Sequence, residues 1–402
     1  MRRILAGLGT AAFLAAGYVH AQMPGVFTSA QQAPSGPTGF PVGPLTVTPG
    51  VVFAQGYDDN LFWQPNNTRS SSFSVLSPFV RLEANPGPHK FSATARIDGG
   101  TFWNSRNDDF TDYSLLANGD IVFSGRAGLA MRLGYLHGHD PRGSTDRAAQ
   151  VHPDEWDNYG ADGVFRYGAP GAQGRIEVDA GWYARRYTNN RLTTSLSDRD
   201  TSRVGGTFYW RVMPRTEILA QAGRTWIDYQ DPASTQSSTE DRLLLGVKWE
   251  ATAATTGYAK IGRMRKDFDS SLRPTTTNPS WDLGVRWSPL TYSVFNFTTS
   301  SSYYESTGVG DAIRTQFYGA TWDHAWNSRF RTQALANYSN SDFVDSFPQR
   351  TDKTGSLGLK AFYDFRRWLR FGAEYTYWNR DSNIDINDYK RNLFLLTVGA
   401  SL

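Results

Sequence analysis

The residues best equipped for chemistry fall in one stretch: His137, His139, Asp140, His152 and Asp154. Imidazole and carboxylate are the usual zinc ligands and general bases, so a metal site or a hydrolytic dyad is the chemistry on offer. Their spacing fits no motif with a defensible mechanism, and an outer loop, where they are expected to lie, gathers such residues freely. Asp58-Asp59-Asn60 and Asn107-Asp108-Asp109 present enough oxygens to interest calcium. Neither carries the full ligand spacing with its glycine turn, so both read first as polar loop tips. Gly-x-Ser-x-Gly, a phosphate-cradling loop and a dinucleotide fingerprint are absent from the sequence. No catalytic residue, metal ligand or cofactor is therefore assigned.

The elements that would hold these residues are strands. At the end of the chain Phe394, Leu396, Val398, Ala400 and Leu402 alternate with Leu395, Thr397, Gly399 and Ser401. Period two with one greasier face describes a strand. A chain ending on such a strand must pair or hide its edge, and closing a barrel on the first strand does so. From Leu45 the same rhythm gives eighteen segments of roughly 10 to 14 residues, the first at 45–57 and the last at 388–402, long enough for tilted membrane strands. Short connections such as Asn85-Pro86-Gly87-Pro88, Met213-Pro214 and Arg366-Arg367 alternate with long ones centred on Asn66, Asn107, Ser144 and onward to Asn383. The expectation is an all-β fold: a transmembrane antiparallel β-barrel of about 18 strands, with short periplasmic turns, long outer loops and both termini periplasmic. Pro49 and Pro78 interrupt two of the strands and are expected at bulges or strand ends.

Alternation also sorts the faces. Leu76, Pro78, Val80 and Leu82 oppose Ser77, Arg81 and Glu83; Ile176, Val178, Ala180 and Trp182 oppose Arg175, Glu177 and Asp179. The lumen set extends to Arg96, Asp98, Arg132, Arg166, Arg203, Tyr209, Arg211, Lys248, Asp282, Arg286, Lys360, Asp364, Arg370, Glu374 and Trp378. A self-neutralising lattice that solvates the wall explains these charges most simply; the sharper reading is a selectivity surface for a permeating solute. With both signs nearly balanced, strong ion selectivity is not expected. Tyr183, Tyr209 and Trp378 beside carboxylates and guanidinium groups would suit sugar rings. Arg224 and Arg263 spoil either phase in 215–229 and 256–268.

Composition agrees with this outline. Met1-Arg2-Arg3, an apolar run to Gly17 and Val19-His20-Ala21 describe a signal peptide over residues 1–21. Residues 22–43, rich in Pro, Gly, Ser and Gln, read as a flexible periplasmic arm, and 44–402 as the barrel. The chain holds 41 Lys and Arg against 38 Asp and Glu; losing Arg2 and Arg3 with the leader leaves a net charge near +1, which argues against nucleic acid. There is no Cys, so an exported chain has no disulfide framework. No run of 18 apolar residues follows the leader, so helical spans are excluded.

Gly56-Tyr57-Asp58-Asp59-Asn60-Leu61-Phe62 and Ser77-Pro78-Phe79-Val80-Arg81-Leu82 together resemble the opening hairpin of the β-barrel porins of exopolysaccharide operons, the EpsL-like outer-membrane proteins. The resemblance implies a large barrel that passes, or helps assemble, a secreted polysaccharide, and it supplies no catalytic residues to carry over. Expected partners are outer-membrane lipid and lipopolysaccharide, the barrel-assembly machinery, a polysaccharide or small hydrophilic solute, and periplasmic polysaccharide-synthesis proteins. The rivals are a general diffusion porin, an outer-membrane hydrolase working from the loop histidines, and a soluble β-propeller whose blades the hairpin period imitates.

Overall fold

The computed structural model describes residues 39–402 apart from 149, 251–253 and 307. The expected signal peptide and most of the expected arm lie outside the described residues. The arm's last residues, Phe40–Val42, form a short strand, β1. Eighteen longer strands follow. The first nine are β2 (Leu45–Asp58), β3 (Ser71–Ala84), β4 (Lys90–Phe102), β5 (Phe110–Val122), β6 (Ala127–Asp140), β7 (Asp154–Tyr167), β8 (Gly174–Tyr187), β9 (Arg199–Met213) and β10 (Thr216–Tyr229). The rest are β11 (Ser238–Trp249), β12 (Thr255–Phe268), β13 (Thr276–Leu290), β14 (Ser293–Glu305), β15 (Ala312–Ala325), β16 (Phe330–Val344), β17 (Arg350–Arg366), β18 (Leu369–Ser382) and β19 (Tyr389–Ser401).

Each strand pairs antiparallel with its sequence neighbours, and β19 pairs with β2 from Leu393↔Asp58 to Ser401↔Gly50. The sheet is thus a closed barrel of eighteen strands, and closure leaves no long edge to hide. Beyond the end of that closing ladder, β1 covers part of β2 through Phe40↔Val47 and Val42↔Leu45. Pro49 sits where the β19 ladder stops, its carbonyl accepting the Leu402 N–H at 3.1 Å. Pro78 departs from expectation. It lies in mid-strand without a bulge; the β3–β4 ladder skips Ser77 and Pro78 and resumes in the same register, from Leu76↔Gly99 to Phe79↔Arg96.

The outward face is apolar. On β19, Phe394, Leu396 and Val398 are exposed while Leu393, Leu395 and Thr397 are buried. Leu243 and Leu245 on β11, at 61% and 63% exposure, flank Leu244 at 0%. One layer of sheet can bury every second residue only if the other face looks into the barrel. Arg224, which fits neither phase in the sequence, lies on the outward side near a long loop and forms a 2.6 Å ion pair with Asp241 on the neighbouring strand. Exposed aromatics near the short turns, among them Phe123, Tyr167, Trp287, Trp326 and Trp368, mark one edge of the apolar band.

Candidate functional site: the barrel interior

The inside of the barrel divides into a charged wall and a packed end. Along the wall, the alternation that turns Ile176 and Val178 outward turns Arg175 and Glu177 inward. Arg175 pairs with Glu177 on its own strand and with Glu217 at 3.1 Å; Arg166 and Arg211 reach the same two glutamates at 3.9 and 4.0 Å. The Arg175 guanidinium also lies 3.8 Å from the Tyr209 ring centroid, and the Tyr209 hydroxyl donates to Glu177 at 3.0 Å. Further pairs are Arg81–Glu83 at 2.7 Å, Arg96–Asp98 at 2.6 Å, Lys360–Glu374 at 3.0 Å and Arg370–Asp364 at 2.6 Å. Asp282 takes Lys260 at 2.6 Å, and Arg132 donates to Asn118 at 3.3 Å. Arg203 stands 5.6 Å from the Tyr183 ring centroid and acts electrostatically on Asp179, with no carboxylate in ion-pair contact. Lys248 and Arg286 are half-buried and form no ion pair among the described residues.

Toward the long loops the inside is filled. Leu61 and Trp63, from the loop between β2 and β3, are buried with Phe73, Val75, Phe102, Trp378, Tyr389, Leu393 and Leu395. Trp378, expected beside the lumen, is 4% exposed and belongs to this cluster. Water-filled barrels carry polar inward residues. Apolar Phe73, Val75, Leu393 and Leu395 on that face are explained by the loop folding in to cover them. The two apolar faces of β3 and β19 were the only sequence signal for it.

The motif Asp58-Asp59-Asn60 holds that loop to the last strand. Arg391 Nε and its terminal nitrogen donate to Asp58 at 3.0 and 2.5 Å, between the Trp63 and Trp378 rings at 4.9 and 5.2 Å. Both Asp59 oxygens accept from Asn392, at 2.6 Å each. Asn60 Nδ2 donates to the Lys390 and Gln64 carbonyls, both at 2.8 Å. These carboxylates are committed to the barrel seam, not turned outward as a calcium loop would require. Gly56 is needed here, because a Cβ would collide with the Phe73 ring.

A second loop, residues 141–153, crosses the same end. Arg142 binds Asp108 at 2.5 Å and lies 4.4 Å from the Phe62 ring centroid. Gly143, at φ +82°, approaches the Phe62 backbone too closely for any side chain. Asp146 reaches Arg350 on β17 at 2.6 Å, and Arg350 also holds Asp352 at 2.6 Å. Arg147 binds Asp140 and Asp154 at 2.7 and 2.9 Å and covers the Tyr187 ring. Burial alone would lower the Arg147 pKa; Tyr187, Asp140 and Asp154 outweigh it and hold it above its ordinary value. A cavity of about 30 Å³ remains between the two loops, room for about two waters.

The chemistry-bearing histidines are separated by this arrangement. His137, His139 and Asp140 lie in β6, and Asp154 in β7, not in a loop. His137 Nδ1 meets Asp157 at 2.9 Å, His139 Nδ1 meets Asp112 at 2.9 Å, and His152 meets the Asn107 carbonyl at 3.2 Å. Asp140 and Asp154 share Arg147 instead. Among the described residues no three His, Asp or Glu side chains converge as metal ligands would.

Solved barrels share this architecture. OpdK of Pseudomonas aeruginosa, determined with vanillate, matches at TM-score 0.50 and 12% identity over 89% of this chain and 99% of its own. OccAB3 of Acinetobacter baumannii matches at 0.47 and 10% identity over 89% and 99%. The FrpB iron transporter of Neisseria meningitidis matches at 0.46 and 11% over 83% of this chain, which spans 62% of FrpB. At such identities OpdK speaks for the fold alone. No curated protein matches the chain. Residues 33–402, the barrel and its seam included, match the family described as "Putative beta-barrel porin 2", and the chain belongs to that family of β-barrel porins.

Proposed function

We propose that this porin is a channel of the outer membrane that assists export of a secreted polysaccharide through an aqueous lumen. The carrying observation is the inward face: a closed ring of eighteen strands lined by hydrogen-bonded charges, of a size that encloses water. Passage then needs positioning and solvation, not bond-making. In this reading residues 1–21 direct export, the short turns and both termini face the periplasm, and the long loops face outward. The inward charges from Arg81 to Glu374 line the path. Lipopolysaccharide surrounds the apolar band, the barrel-assembly machinery inserts it, and polysaccharide-synthesis proteins deliver cargo from the periplasmic side. The polysaccharide itself comes from the resemblance of the Gly56–Phe62 and Ser77–Leu82 motifs to porins of exopolysaccharide operons.

Planar-bilayer conductance of the refolded chain, with and without polysaccharide, tests the proposal. Discrete channels partly blocked by the polymer are expected. Channels indifferent to every polysaccharide would leave a general diffusion porin; no channels would remove the transport reading.

A further inference from the structure

The two sides of the lumen neutralise their charge differently. On β17–β19 and β2–β4 the inward cations along the wall mostly have their own carboxylates: Lys360 has Glu374, Arg370 has Asp364, Arg81 has Glu83 and Arg96 has Asp98, while Lys90, at the short-turn edge of β4, has none among the described residues. On β8–β13 the inward face is richer in cations than in carboxylates. Arg185, Arg203, Arg242, Lys248 and Arg286 project inward there with no carboxylate within ion-pair distance among the described residues. The direct contacts of Arg185, Arg203 and Arg242 are neutral, while Asp179 acts on Arg203, and Asp282 and Glu240 act on Arg242, from beyond ion-pair distance. Arg185 donates to Asn158 at 3.0 Å and covers the Trp156 ring at 4.2 Å; Arg242 donates to Ser280 at 2.8 Å; Arg203 faces Tyr183. One buried guanidinium N–H on Arg185 and one on Arg203 have no acceptor among the described residues. A wall in a low-dielectric shell with more inward cations than carboxylates attracts anions, as rings of Arg and Lys do in anion pores.

The cations also run lengthwise. Lys248 and Arg286 stand near the short turns, Arg242 and Arg203 at mid-strand, and Arg185 toward the long loops. Six residues separate Arg242 from Lys248 on β11, about 20 Å at strand rise. One small anion cannot touch both. A chain with repeated negative charge can, and its sugar faces would meet Tyr183 and Tyr209 beside the same track.

We infer that the β8–β13 side of the lumen is a binding track for a carboxylate-bearing oligosaccharide or polysaccharide. This rests on the transport reading above and adds the acidic character of the cargo. Guanidinium forks match carboxylates in two-point hydrogen bonds, so recognition is by acid groups and not by overall size.

The test uses the full chain in planar bilayers. In a KCl gradient the reversal potential should lie on the chloride side, and Lys248→Glu with Arg286→Glu should move it toward potassium. Hexagalacturonate should block the unmodified channel at concentrations where maltohexaose, of equal length and no charge, does not. Arg203→Gln with Arg242→Gln should weaken that block roughly tenfold or more, the loss expected for charge-assisted contacts. A chloride-indifferent channel, or equal block by the two hexasaccharides, overturns the track and leaves the channel standing. Both of these readouts come from the unmodified protein, so they decide even if a variant fails to fold. Absence of any conductance overturns the channel and the track together.

Discussion

The two ends of the barrel interior solve the same problem by different means. Near the short turns some charges stay wet: the Arg81 and Glu83 side chains are 52% and 37% exposed and pair across one intervening residue, although Arg370 is 1% exposed beside a half-buried Asp364. Near the long loops, charges are dry: Arg350 and Asp352 are 3% and 6% exposed, and Arg391 and Asp58 are 8% and 2%. A wet pair contributes little, because water screens it and two long side chains lose freedom. A dry pair is different in kind. Each partner has lost its water, so removing one strands the other. A wet pair such as Arg81–Glu83 therefore tolerates change, whereas the long-loop end is locked by a few residues from distant parts of the chain.

That contrast can be broken by experiment. Arg391→Ala leaves the Asp58 carboxylate buried without its partner, next to Trp63 and Trp378. It should cost about 3–5 kcal/mol, read as lowered resistance of the folded barrel to urea; a change no larger than that of an exposed pair would refute the lock. Arg350→Ala should cost somewhat less, since Asp146 loses its Arg350 contact but Asp352 keeps Arg380 at 4.0 Å. It should also enlarge single-channel conductance, because the 141–153 loop loses its anchor on the far wall. Unchanged conductance would mean that this loop does not limit the pore. On the outward face, Leu245→Arg places a charge among exposed apolar side chains and should cost about 2–4 kcal/mol if it lies at the bilayer midplane, measured by unfolding from lipid vesicles. Arg81→Ala should change stability by no more than about 1 kcal/mol, and a larger loss in the same assay would erase the distinction between the ends.

Much of this molecule is legible in its sequence for one reason. Oil outside and water inside impose a period of two on every strand, and Gly, Pro and Asn clusters punctuate it. The expected segments 215–229 and 256–268 match β10 and β12 to within one residue, and other strands shift by only a few residues at their ends. Ile176 and Val178 are placed outward by alternation alone, and both are exposed. Where alternation fails, so does the reading. His137, His139 and Asp140 look like loop residues because the apolar alternation of β6 ends at Tyr135, yet β6 continues through them to Asp140. Pro78 looks like a bulge because it lacks a donor, yet the ladder omits two residues and keeps register. Asp58-Asp59-Asn60 looks like an oxygen-rich tip because its partners stand more than three hundred residues away.

The sequence by itself determined the strand rhythm, the alternation of short turns and long loops, the apolar outer face and a lumen of mixed charge. All of these are local consequences of which side of a strand meets hydrocarbon. Only the tertiary structure decided that β19 meets β2 through Asp58 and Arg391, that Leu61 and Trp63 turn inward over Phe73 and Leu393, and that Asp146 crosses to Arg350. It also decided which lumen cations keep a carboxylate and which do not. Those outcomes depend on barrel closure, which brings remote segments together at distances that no local spacing encodes.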